Sequence, residues 1–88
     1  MENNTGKIQF PCRWEYRIIT NGSCTGQSRE AIAAIGSSEK VALEITSGES
    51  SGNGKYTALR VACEVASLEQ ARELARLFSQ AEGVRFVL

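Results

Sequence analysis

The 88-residue chain has no histidine and no aspartate. Without imidazole there is no Ser-His-Asp triad, no histidine metal site and no side chain that ordinarily gains or loses a proton near neutral pH. Its acidic residues are all glutamates, ten of them against ten Lys+Arg, for a net charge of zero. That balance, spread evenly along the chain, argues against a nucleic-acid binder or an anionic-membrane binder. No apolar run approaches the ~20 residues that a membrane-spanning helix requires. Met1-Glu2-Asn3-Asn4-Thr5-Gly6 has neither a basic start nor an apolar stretch, so no signal peptide is expected, and Glu2 stands where myristoylation needs glycine. The three cysteines, Cys12, Cys24 and Cys63, are odd in number and lack C-x-x-C spacing. They make a poor disulfide framework and a poor zinc site, and they fit a reduced, cytoplasmic protein. No cofactor motif and no metal site is read.

What is present is pattern. Residues 1–6 are polar and read as a disordered tail, leaving 7–88 as one domain. A chain of this length buries roughly 63% of its extended surface, which makes a marginal fold that a partner subunit would help. From Phe10 to Thr20 apolar and polar residues alternate: Cys12, Trp14, Tyr16 and Ile18 on one parity, Arg13, Glu15 and Arg17 on the other. Period two with aromatic and branched residues predicts a half-buried strand. The segment Asn21 to Gly26 reads as a loop, and Gln27 to Ile35 as a short helix with a thin stripe of Ala31, Ile32, Ala34 and Ile35, ended at Gly36. Lys40 to Thr46 alternates again, with Val41, Leu43 and Ile45 inward. Residues 47–54, nearly all Gly, Ser and Asn, read as a long mobile hairpin loop. Lys55 to Val65 predicts a third strand. Ser67-Leu68-Glu69-Gln70 fits a capping box, and Leu68, Ala71, Leu74, Ala75, Phe78 and Ala81 recur at helical spacing behind it. Gly83 stops that helix, and Val84 to Leu88 predicts a fourth strand.

Strand, helix, strand, strand, helix, strand is the order of an α+β, ferredoxin-like βαββαβ sandwich: a four-stranded antiparallel sheet with two helices on one face. The uncovered face carries Arg13, Glu15, Arg17, Glu44, Tyr56, Arg60, Glu64 and Arg85. Within it Arg13, Arg17, Tyr56, Arg60 and Arg85 form a candidate interaction face; the bland account is a solvated ion-pair surface.

Each motif in the chain also has a plainer account. Gly54-Lys55 ends a glycine-rich stretch, but the spacing is not that of a phosphate loop and a strand follows where a helix is needed. Trp14 and Tyr16 share the buried parity of Ile18, so the basic-aromatic surface of an RNA-recognition motif is missing. Cys24 before a helix could be an activated thiol, and a thiol-dependent enzyme is the remote alternative, but no base accompanies it. The better ligand candidate is the loop Asn21, Gly22, Ser23, Thr25 and Gly26, where N–H groups at a helix start and side-chain donors could hold a small anionic metabolite. The plain account is a turn with its cap.

Two stretches carry a family likeness: Phe10-Pro11 with Tyr16, and Gly54-Lys55-Tyr56 followed by Leu59-Arg60-Val61, Ser67-Leu68-Glu69-Gln70 and Val84-Arg85-Phe86-Val87-Leu88. Together they resemble the YbeD-like family of small bacterial proteins of unknown function, across most of residues 8–88 with 21–53 matching least. That family is similar in fold to the regulatory ACT domains of amino-acid biosynthetic enzymes, and some members bear a proposed lipoate-regulatory label. The resemblance implies a cytoplasmic, ACT-like regulatory module with no catalytic residue, whose ligand would sit at the loop after the first strand. This chain departs from the family in a first helix that reads shorter and in cysteines outside the pattern. The expected function is therefore a non-catalytic regulatory or small-ligand-binding module. The alternative is a protein-interaction module, including a homodimer, that uses a free sheet edge or the open face.

Overall fold

The alternating segments at residues 10–20 and 55–65 become strands, that at 40–46 does so only from Glu44, and the sheet they form fixes everything else. A computed structural model describes residues 9–88; the tail expected at residues 1–6 lies outside the described residues. Strand β1 is Cys12–Asn21, helix α1 is Thr25–Ser38, β2 is Glu44–Ser50, β3 is Tyr56–Val65, α2 is Leu68–Ser79 and β4 is Val84–Val87. The sheet is antiparallel, in the order β2-β3-β1-β4, with the two longest strands in the centre. Both helices cover one face, as the α+β ferredoxin-like reading requires.

The core sits between that face and the helices. Tyr16 and Ile18 of β1 and Leu59, Val61, Cys63 and Val65 of β3 meet Ile32 of α1 and Ala71, Leu74 and Phe78 of α2. The Tyr16 and Phe78 rings cross edge to face with centroids 5.1 Å apart, which adds to the burial of two large side chains. The forward half of the capping box at α2 is formed, Ser67 Oγ accepting from the Gln70 N–H at 3.0 Å; Gln70 Oε1 reaches one residue further back than the cap and accepts from the Ala66 N–H at 2.6 Å. Glu73 and Arg76 pair on the wet side of α2.

Four element boundaries need correcting. First, α1 does not end at Gly36 but runs 14 residues to Ser38. Gly36 is a close-approach glycine: a Cβ there would lie 2.7 Å from the Leu43 side chain. The helix stops instead at Lys40, which takes a left-handed φ of 59°, while the Val41 N–H returns to the Gly36 carbonyl at 2.8 Å. Second, β2 therefore begins at Glu44 rather than Lys40. Val41 and Leu43 pack on the core from the connection, not from the strand. Third, the expected loop 47–54 is strand as far as Ser50, paired with β3 across an irregularity between Ser47 and Ser50. The remaining turn is tied by Asn53 Oδ1, which accepts from the Lys55 N–H and from the Ser51 hydroxyl, both at 3.0 Å. Fourth, α2 ends at Ser79, two residues before Ala81; beyond it Gly83 takes the positive φ of 79° that a chain reversal demands.

Candidate functional site

Residues directly opposite in an antiparallel pair share a face, so the register lays out the uncovered side of the sheet. Arg13 faces Glu64, Glu15 faces Ala62, Arg17 faces Arg60, Ile19 faces Ala58 and Asn21 faces Tyr56. On the next strand Glu44 stands beside Ala62 and Thr46 beside Arg60. Arg13, Arg17, Tyr56 and Arg60 thus occupy one surface. Arg85 joins them, its guanidinium carbon 6.0 Å from the Tyr56 ring centroid, and Lys55 Nζ lies 5.4 Å from the same centroid.

The charges on this surface are not evenly mixed. At one end Arg13 Nη2 donates to Glu44 Oε1 at 3.1 Å and its Nε lies 3.7 Å from Glu15 Oε2. The two carboxylates raise the Arg13 pKa above its ordinary value. In the middle Arg17 and Arg60 are exposed and directly opposed, and among the described residues neither has a carboxylate partner. Two shallow hollows follow this division. One of about 190 Å³ is lined by Arg13, Glu15, Glu44, Thr46 and Arg60; the next, of about 220 Å³, by Glu15, Arg17, Arg60 and Leu88.

The apolar component of the face is the part sequence reasoning missed. Ile18 pairs with Val87 and Ile19 with Phe86, but Thr20 pairs with Val84, so β4 carries one extra residue. Such a bulge lets two residues oppose one. Val84 and Val87 both pack against the core as a result, while Phe86 is turned out and 57% exposed. Leu88 bonds to Arg17 through both backbone groups, at 2.8 and 3.1 Å, and is 73% exposed. The signal was present in two places. Ile18-Ile19 cannot both face inward in a strand, and Val84 and Val87, three apart, cannot both do so without a bulge.

The segment expected to be a ligand loop is helical. Gly22–Cys24 form a single 3₁₀ turn that leads straight into α1 at Thr25. Its polar groups are largely spent on the fold. The Asn21 N–H donates to the Gly83 carbonyl and the Gly22 N–H to the Lys55 carbonyl, at 2.9 and 2.8 Å. Thr25 Oγ1 lies 3.3 Å from the Asn21 carbonyl and 3.2 Å from that of Gly22. Ser23 and Gly26 are exposed, and no side chain caps the start of α1. Gly22 has no room for a side chain, since a Cβ would lie 2.0 Å from the Gly54 carbonyl oxygen.

The three thiols are free. Cys12 and Cys24 are half-buried and Cys63 is buried, where the loss of solvation raises its pKa. Cys24 has the Ser23 hydroxyl at 3.8 Å as its polar neighbour. Among the described residues no three His, Cys, Asp or Glu side chains come together as a metal cluster would need, and no helix is long and apolar enough to cross a membrane.

Comparison with known proteins gives the fold its relatives. The chain superposes on the solution structure of HP0495 from Helicobacter pylori with a TM-score of 0.76 at 24% identity, covering 100% of this chain and 94% of that one. A second solution structure of HP0495 gives 0.66 at 23%, covering 99% and 96%. The C-terminal domain of the MgtC protein from Mycobacterium tuberculosis gives 0.68 at 19%, covering 86% and 82%. At these identities the likeness is one of fold. No curated protein sequence matches the chain. The profile of a family described as a protein of unknown function, DUF493, matches residues 5–88. The likeness to the YbeD-like proteins is thereby explained: the chain belongs to DUF493, the YbeD-like family, whose function is unknown.

Proposed function

We propose that the protein is a non-catalytic regulatory binding module that docks a protein partner on the open face of its sheet. The observation that carries this reading is the directly opposed Arg17 and Arg60, without a carboxylate partner among the described residues, beside the exposed Phe86 and Leu88. Like charges directly across two central strands cost stability, and a large aromatic side chain in water forgoes its burial. Binding a partner would compensate both. The face outranks the turn at Asn21–Gly26, where a small anion would compete with backbone and hydroxyl bonds already made within the protein. A reducing, cytoplasmic setting belongs to the same reading and is supported by three unpaired cysteines, one of them buried.

The test is site-specific photocrosslinking in cells, with a benzophenone residue at Phe86 or at Thr46 on the open face and at Arg76 on the outer side of α2. Adducts of one common mass are expected from positions 86 and 46, abolished by Arg17→Glu, with none from position 76. Adducts from position 76 alone, or adducts at 86 that ignore Arg17→Glu, overturn the reading.

A further inference from the structure

The open face is specific about charge as well as exposed. We propose that it binds an extended acidic-apolar peptide segment of its partner, with a carboxylate held between Arg17 and Arg60 and an apolar side chain over Ile19 and Phe86. The proposal rests on the open-face reading and adds the chemistry of the occupant.

The first argument is charge complementarity. Three glutamates lie on this face, at 15, 44 and 64, and two of them flank Arg13, within 3.1 and 3.7 Å of its guanidinium. A surface built only for stability would set one of them opposite an arginine of the central pair. Instead Arg17 faces Arg60. Breaking a local rule without a compensating gain inside the fold marks a site whose compensation comes from elsewhere. The second argument is geometry. Arg17 and Arg60 both line a hollow of about 220 Å³, along with Glu15 and Leu88; a guanidinium group is a planar fork of N–H donors, which matches a carboxylate in bidentate pairing. The third is what lies one step along the strands. Ile19 follows Arg17 by two residues and Ala58 precedes Arg60 by two, so the pair lies one step along the same face, about 6.6 Å at the usual rise. Phe86 sits beside Ile19. An extended segment carries alternate side chains of one face at the same spacing, so an acidic residue and the apolar residue two places on meet the arginines and the apolar patch together.

A polyanion fits less well. A nucleic acid laid across this sheet would run over Glu15, Glu44 and Glu64, whose carboxylates repel its phosphates. A lone small anion would forgo the apolar contacts at Phe86 and Leu88.

The experiment is titration of the ¹⁵N-labelled full chain with an N-acetylated hexapeptide alternating glutamate and leucine. Controls are the same peptide with lysine for glutamate, an oligothymidylate, and acetate. Shifts at Arg17, Ile19, Arg60 and Phe86 are expected for the acidic peptide alone. Loss of a charge-assisted pair predicts a roughly tenfold or greater weakening in Arg17→Glu and in Arg60→Glu. Arg76→Glu leaves the affinity unchanged. Arg60→Glu replaces a repulsive cross-strand pair with an attractive one, so its melting temperature is expected to be unchanged or raised, and lost binding cannot be assigned to unfolding. Equal binding of the lysine peptide, binding untouched by Arg60→Glu, or acetate matching the peptide overturns the proposal; tighter binding of the oligothymidylate replaces it with nucleic-acid recognition. If the acidic peptide fails while the crosslinks at 86 and 46 stand, only the partner's chemistry is wrong. If both fail, the open face is not the binding surface.

Discussion

Replacing Tyr16 by phenylalanine tests the core and its pH dependence in one variant. The Tyr16 hydroxyl is buried and donates to the Ala71 carbonyl of α2 at 2.7 Å. The ring itself is held edge to face against Phe78 and would stay. Removing the hydroxyl deletes one hydrogen bond and a few cubic ångströms, so at pH 8 the loss is about 1 kcal/mol. In a domain of this size that is a fall in Tm of about 4–8 °C. The ordering reverses in alkali. Burial, with a smaller contribution from the neighbouring Cys63 thiol, pushes the Tyr16 phenol up from 10.0 to about 12. The folded chain therefore keeps a proton that the unfolded chain gives up. This contribution is fully present below pH 10 and is lost as pH rises through 12. Over that window it amounts to about 2.7 kcal/mol, at 1.36 kcal/mol per pKa unit. Tyr16→Phe lacks it. The stability difference should vanish at roughly pH 10.6 and then change sign, leaving the variant the more stable protein. Urea unfolding of both proteins from pH 8 to 12 measures it, and other groups that titrate there cancel in the difference. A constant difference across the range would refute the idea that the fold holds this phenol protonated. No difference at pH 8 would refute the hydrogen bond.

Two further substitutions test local structure. Ser67→Ala removes the acceptor for the Gln70 N–H at the start of α2 and should cost about 1 kcal/mol in urea unfolding, with amide exchange accelerating first at Gln70. Gly22→Ala puts a methyl group where the Gly54 carbonyl already stands, 2.0 Å from the ideal Cβ. Backbone must move, so a loss of about 1–3 kcal/mol is expected, together with lost exchange protection at Gly22, whose N–H donates to Lys55.

The open face was legible in β1 and β3 because each is a long strand in strict alternation. A period of two sends every second side chain to the same side, and the register then placed Arg13, Arg17, Arg60 and Tyr56 together. The candidate site was less legible where glycine and serine carried the pattern. Glycine usually stops a helix, and on that rule Gly36 reads as a stop. Its actual role, admitting Leu43 against the helix, depends on a neighbour seven residues away that no local rule supplies. The Ser-Gly run after Thr46 reads as loop for the same reason, yet pairing with β3 makes it strand as far as Ser50. Turn chemistry misled at Gly22–Cys24 too. Those residues suit a loop, but bonds to Lys55 and from Thr25 wind them into the entry of α1.

By itself, then, the chain's alternation and its capping box determined four strands, two helices and their order, since these depend on residue spacing and on bonds spanning three or four positions. The tertiary structure alone decided which charges meet. Arg17 and Arg60 are 43 positions apart in the sequence, and only the pairing of β1 with β3 sets them face to face. It likewise decided that Phe86 points into water, because the core claimed both Val84 and Val87 and a four-residue strand can satisfy both only by bulging.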